Sequence, residues 1–158
     1  MTVTTADDAM SATTTTMTLV TEFGTFEVGE KEVVRFPSGV PGFEACRRFV
    51  LLSSPELGVF QCLRSIEGPA ASFVVVDPRR VLPTYRTVLS QADLVRLGTT
   101  GDPSAPLLWL AIVTLEDATG QAHVNLRAPI VINPQMMVGY QLMPSNSLYP
   151  LRHPLSGD

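Results

Sequence analysis

Apolar and polar side chains alternate through residues 123–132. Val124, Leu126, Ala128, Ile130 and Ile132 take every second position, and His123, Asn125, Arg127, Pro129 and Val131 fill the gaps. Successive side chains on a strand point to opposite sides, so a period of two over ten residues predicts a strand with one buried face. Asn133-Pro134-Gln135 interrupts the run, and Val138, Tyr140 and Leu142 resume it, which predicts a hairpin or a close strand pair. Further strands are expected at Val33–Phe36, Phe49–Leu52, Val59–Ile66, Phe73–Val76 and Leu107–Leu115. The last is apolar almost throughout, so both of its faces should be covered, with Trp109 in the core. Leu19 and Phe23 share one parity and Phe26 and Val28 the other, with Gly24 at the switch, as at a bulge or strand break.

Only one short helix is expected. Ser90-Gln91-Ala92-Asp93 is a capping sequence, Leu94, Val95 and Leu97 follow, and Gly98 ends the element. Short strands between Gly/Pro-rich turns, without alternating βα units, predict a mainly β, antiparallel sandwich or barrel. Residues 1–17, MTVTTADDAMSATTTTM, lack anything to pack and are expected to be a disordered Thr-rich extension; the folded domain should span 18–155.

Composition narrows the function classes. A chain of 158 residues that is 45% hydrophobic has the material for one domain with an ordinary core. The longest apolar run, Leu107–Val113, is far shorter than the ~20 residues that cross a bilayer. No basic patch leads into an apolar stretch at the N-terminus, so the expected location is cytoplasmic, away from membranes. Cys46 and Cys62 are sixteen apart with no CxxC and read as buried hydrophobes. The net charge is −4, but Asp7, Asp8 and Asp158 lie at the ends; without them twelve acids face eleven bases. With no basic stripe, direct binding to nucleic acid is not expected. Locally, Glu22, Glu27, Glu30 and Glu32 fall within eleven residues with only Lys31 against them. That excess is either a solvated strand edge and turn or a contact surface for a basic partner.

Catalytic constellations are missing. There is no GxSxG, HExxH or glycine-rich loop opening a helix. Glu116-Asp117 reads as a solvated hairpin end, and His153 has no carboxylate neighbour in sequence. Beyond two cysteines only His123 and His153 are available as soft ligands, too few for a metal centre. No enzyme activity and no cofactor are expected. Pro37-Ser38-Gly39-Val40-Pro41-Gly42 should instead form a stiff loop that holds Phe43 and Glu44 in place, the ring either plugging the core or meeting a partner.

FPSGVPGFE at 36–44, FVVVDP at 73–78, VNLRAPIVIN at 124–133 and YPLRHPL at 149–155 stand in the same order as in the flagellar assembly factor FliW family, which the chain resembles over roughly 18–155. Ser38 stands where that family's first motif has a lysine, and the Thr-rich extension precedes the family's usual start. The resemblance implies a single antiparallel β-barrel-like domain and a non-enzymatic, monomeric, cytoplasmic binding protein. Its implied partners are flagellin and CsrA, the RNA-binding regulator that represses flagellin translation. Released from flagellin, such a protein captures CsrA and frees the messenger. Candidate partner-binding residues are Glu27, Glu30 and Glu32 from the acidic stretch, Phe43 and Glu44 from the stiff loop, Asn133, and Tyr149, Leu151, Arg152 and His153 from the tail. A domain this small exposes few large surfaces, so the two partners are expected to share the hairpin and tail. The competing reading is a nucleotide- or flavin-binding β-barrel module, against which the wholly apolar inward set from Val124 to Ile132 counts.

Overall fold

In the computed structural model the described residues are 16–67, 71–99, 105–116, 118–144 and 147–155. The chain opens with a two-stranded hairpin, β1 (Thr16–Thr21) and β2 (Gly24–Gly29), followed by a 3₁₀ turn at Glu30–Glu32 and the short β3 (Val34–Arg35). A meander of β4 (Arg48–Leu52), β5 (Gln61–Ser65) and β6 (Ser72–Val76) leads to a helical turn, α1 (Pro78–Val81), and to α2 (Gln91–Leu97). Then come β7 (Leu108–Leu115), β8 (Ala122–Val124), β9 (Ile130–Asn133), β10 (Val138–Gln141) and β11 (His153–Leu155).

Seven strands close a ring in the order β9-β10-β3-β4-β5-β6-β7, because β7 also pairs with β9. Every pairing is antiparallel except β10 with β3, where Val138 lies beside Arg35. The long β7 serves two neighbours on one edge. Leu108–Leu110 pairs with β9 and closes the barrel, while Val113–Leu115 pairs with β8, which in turn carries β11. Closure leaves the barrel strands few free edges, which removes the template for uncontrolled strand addition.

Alternation along each strand sorts side chains to the two sides of the wall. Phe36, Phe49, Leu63, Val75, Leu110, Ile130 and Ile132 fill the interior, with Phe36 and Phe49 edge to face at 5.0 Å. Gly139 lies where a Cβ would come within 2.8 Å of the Phe36 ring, so a side chain there would collide with the packed centre. Outside, three separate apolar layers cover the wall. The β1–β2 hairpin lays Met17, Leu19, Phe26 and Val28 on Val50, Leu52 and Cys62. α2 packs Leu97 against Val131 and Leu142. Tyr85, Val81, Tyr149 and Leu155 cover Val76, Ala111 and Val124.

The expected helix is present and its ends follow from its sequence. The Ser90 hydroxyl accepts the Asp93 N–H at 3.1 Å, and Gly98 closes the element with φ 75°. A second helical turn, α1, was not expected. Asp77 accepts the Arg79 N–H at 2.9 Å and Pro78 supplies a preset φ, so the Asp-Pro pair starts a helix where it looked like the end of a strand.

The ten-residue strand is also divided. Asn125 Oδ1 accepts the N–H groups of Arg127 and Ala128 at 3.1 and 3.0 Å, and this local turn separates β8 from β9. All five even-numbered residues from Val124 to Ile132 are nevertheless buried. Pro129 and Val131, expected to face solvent, are buried as well, Val131 because α2 covers that part of the wall. β1 begins at Thr16, two residues before the expected boundary, and residues 1–15 of the expected extension lie outside the described residues. Gly24 ends a hairpin turn, pairing with Thr21.

Candidate functional site

The barrel interior is packed with apolar side chains, and the buried Ser65 hydroxyl on its wall donates to Glu67 O, which disfavours a nucleotide or flavin there. Function therefore has to be sought on the outer wall, where the sequence-derived candidates fall in three places.

The first is the acidic hairpin. Thr18 and Glu27 are cross-strand partners on the outward face, and the Thr18 hydroxyl donates to the Glu27 carboxylate. The Glu32 carboxylate accepts the Gly29 N–H at 2.6 Å and so caps the turn that leads into β3. Glu30 is exposed, and its side chain makes no hydrogen bond or ion pair among the described residues. Glu22, also exposed, sits in the hairpin turn. Of the three residues expected from sequence, two thus also hold the hairpin together, and Glu22 joins Glu30 as an uncommitted charge.

The second is the stiff loop. Gly39 N–H donates to Phe36 O, Phe43 N–H to Val40 O and Cys46 N–H to Phe43 O, at 2.8, 2.6 and 3.0 Å. Gly39 has φ 66°, and a Cβ there would lie 2.6 Å from Glu44 Cα, so both conformation and space require glycine. Phe43 is partly packed and partly exposed. Its ring meets Phe73 edge-on at 5.2 Å, yet the residue remains 43% exposed. The Glu44 carboxylate accepts the Gly42 N–H at 3.1 Å, and hydrogen bonds from the Gly42 and Glu44 backbones hold its carboxyl below the usual carboxylate range.

The third is the C-terminal tail, which is docked along the domain. Tyr149 packs on Tyr85 with ring centroids 4.5 Å apart, and its hydroxyl accepts the Arg86 N–H at 2.8 Å. Arg127 Nε donates to Tyr149 O, and Tyr85 Oη to Leu126 O. Burial pushes the Tyr85 phenol up. Further on, His153 pairs with Val124 in the sheet. Leu151 is 48% exposed, and Arg152 reaches Glu116 at 2.9 Å. The Arg152 hydrogen bond, then the Thr119 hydroxyl, hold the Glu116 carboxyl below its ordinary range. Leu151 and Arg152 edge a shallow pocket of ≈ 360 Å³ with Leu115 and His123. Tyr149 is thus largely structural, while Leu151 and Arg152 are presented outward.

Asn133 does not belong to any of these surfaces. It is buried; its Nδ2 donates to Leu97 O at 2.6 Å, and its Oδ1 accepts the Gln135 N–H at 3.0 Å. The residue ties the β9–β10 turn to the end of α2, so its expected partner contact is replaced by an internal one. The turn signal Asn-Pro was visible in sequence; the helix it meets is thirty-six residues away.

A larger feature escaped the sequence altogether. A groove of ≈ 890 Å³ runs between the segment leading into α2 and the segment before the tail, with Arg86, Val88, Arg96, Met143 and Leu148 along it. Its two walls are distant in sequence and neither has a repeating pattern.

Comparison with known proteins follows from the same chain. The model of a family described as FliW protein matches residues 17–155. The flagellar assembly factor FliW of Natranaerobius thermophilus is 35% identical over 136 residues, covering 86% of this chain and 89% of its own. That of Geobacillus kaustophilus is 36% identical over 140 residues, covering 88% and 95%. A crystal structure of the flagellar assembly factor FliW superposes with a TM-score of 0.78 at 35% identity, over 89% of this chain and 97% of that one.

Proposed function

The chain belongs to the FliW family, and on that premise we propose that it is a non-enzymatic cytoplasmic switch in flagellar assembly, binding flagellin and sequestering a CsrA-type regulator. No chemical step is involved. Each partner lowers the amount of free protein open to the other, so flagellin leaving the cell raises the amount that captures the regulator.

The observation that carries this reading is the charge on the hairpin. An RNA-binding regulator must present basic surface to phosphates. Glu22 is exposed at the tip of the hairpin and Glu30 just past its open end, with Lys31 the only base in the stretch, in a chain of net charge −4. Opposite potentials speed encounter and fix orientation more than they add affinity. Glu27 and Glu32 contribute to the same field while also bracing the hairpin.

The test is stopped-flow association with the CsrA-type protein of the same organism. Glu22→Lys with Glu30→Lys avoids the two braced carboxylates and should leave the melting temperature in place. Association should slow by about tenfold at low salt, with a flatter salt dependence. Wild-type kinetics in this variant would move the regulator's site off the hairpin.

A further inference from the structure

The groove beside α2 has a chemistry opposite to that of the hairpin. Val88, Met143 and Leu148 are 79%, 70% and 96% exposed along it, an unusual concentration of solvated apolar side chains on one small surface. Two arginines stand among them. Arg96 lies 3.8 Å from Asp93, but among the described residues Arg86 has no carboxylate within 4.0 Å. The lining therefore carries a net positive charge within an acidic chain.

One wall of the groove is held from beneath. Its Arg86 wall is fixed by the Arg86 N–H bond to Tyr149, whose ring rests on buried Tyr85. The same wall continues into α2, seated by Leu97 on Val131 and Leu142 and capped by Ser90, and the facing wall carries Met143 and Leu148. A wall held in this way loses little freedom when a partner covers it, which favours affinity.

We propose that this groove docks a polypeptide segment of flagellin that is apolar on one face and bears a carboxylate, with Val88, Met143 and Leu148 receiving the apolar side chains and Arg86 the acid. This rests on the flagellin reading above and adds the place and the chemistry. A basic regulator is disfavoured at the groove by Arg86 and favoured at the hairpin by Glu22 and Glu30. The two surfaces lie on different sectors of the barrel, since the hairpin packs over β4 and β5 and α2 over β9 and β10. Sequence alone pointed to one shared surface. On this assignment each partner has its own anchors, and exclusion between them rests on the bulk of the bound chains.

The experiment titrates purified flagellin and the CsrA-type regulator of the same organism separately into the wild type and two variants. Val88→Asp with Leu148→Asp should weaken flagellin about 30-fold or more, the loss typical of removing central interface anchors. Arg86→Glu should also weaken it, and Arg86→Lys should restore much of the binding. Regulator affinity should stay within about twofold in all three, and the exposed positions should leave the melting temperature unchanged. Unchanged flagellin affinity in both the Val88/Leu148 and Arg86→Glu variants would overturn the groove assignment while leaving the flagellin reading intact. Regulator affinity falling in parallel with flagellin affinity would overturn the division of surfaces. Wild-type protein that does not bind flagellin would overturn the underlying reading, and this one with it.

Discussion

Truncating Tyr149 separates a docked tail from a free recognition element. The ring packs 4.5 Å from Tyr85 and the hydroxyl accepts the Arg86 N–H at 2.8 Å. An aromatic pair is worth about 0.5–1.5 kcal/mol beyond the area it buries, and an ordinary hydrogen bond about 1 kcal/mol net. Removing a fully buried large aromatic costs roughly 3–5 kcal/mol, and Tyr149 is only half-buried. These terms overlap, so Tyr149→Ala should lose about 2–4 kcal/mol and Tyr149→Phe no more than about 1. For a chain of this size that corresponds to a fall of roughly 5–15 °C in melting temperature for the alanine variant. Arg152→Ala breaks only an ion pair whose two side chains are 65% and 39% exposed and screened by solvent, so it should cost far less than the aromatic packing. Urea unfolding followed by fluorescence suits the comparison, because the single tryptophan, Trp109, packs in the layer Tyr149 covers. A Tyr85→Ala, Tyr149→Ala double-mutant cycle should give a coupling of about 1 kcal/mol or more. If Tyr149→Ala costs no more than Arg152→Ala, the tail is held by the pairing of β11 with β8 and the stacked rings are incidental.

Two other perturbations test the internal contacts. Asn133→Ala strands the Leu97 carbonyl in a buried site and releases the Gln135 N–H, so it should cost about 1–3 kcal/mol and raise amide exchange at Gly98 and Thr99; unchanged exchange would disconnect the hairpin turn from α2. Glu116 has a folded-state pKa depressed below 4.5 by Arg152 and Thr119, so its contribution is present above that value and lost as pH falls through the folded one. In Arg152→Ala the Glu116 carboxyl should titrate closer to 4.5 by carbon-13 NMR, and the stability gap between the two proteins should vanish in acid; an unmoved titration would show that the bridge is not formed in solution.

Activity in this family of folds is a matter of surface, and the surfaces here differ in kind. Of the four acids on the hairpin and the turn after it, Glu27 and Glu32 are engaged in local hydrogen bonds, while Glu22 and Glu30 are exposed. The 37–44 loop is so tightly built around Gly39 that Phe43 is held half in the core and half out. The groove is apolar and cationic. One small barrel thus carries surfaces of opposite chemistry.

The sequence by itself determined the parts whose signal is local. Period-two alternation placed the strands, since a strand's two faces are set residue by residue. Ser90 and Gly98 placed α2 because caps are satisfied within four residues. FPSGVPGFE, VNLRAPIVIN and YPLRHPL in register are enough to place the chain in its family, because a motif's order is written in the chain itself. Where two local signals competed, the sequence was ambiguous: Asn125 could continue a strand or fold back on Ala128, and Asp77-Pro78 could end a strand or begin a helix. Tertiary structure decided everything that depends on what lies across the chain. Val131 is buried because a helix from thirty-four residues earlier covers it, and Asn133 is spent on that helix's last carbonyl. Tyr149 is anchored by a ring at position 85, and the groove exists only where the segment at 86–96 meets Met143, Pro144 and the residues from Ser147 to Tyr149. Contacts between distant segments leave no periodic trace in either one, because burial acts on a side chain through its neighbours in space.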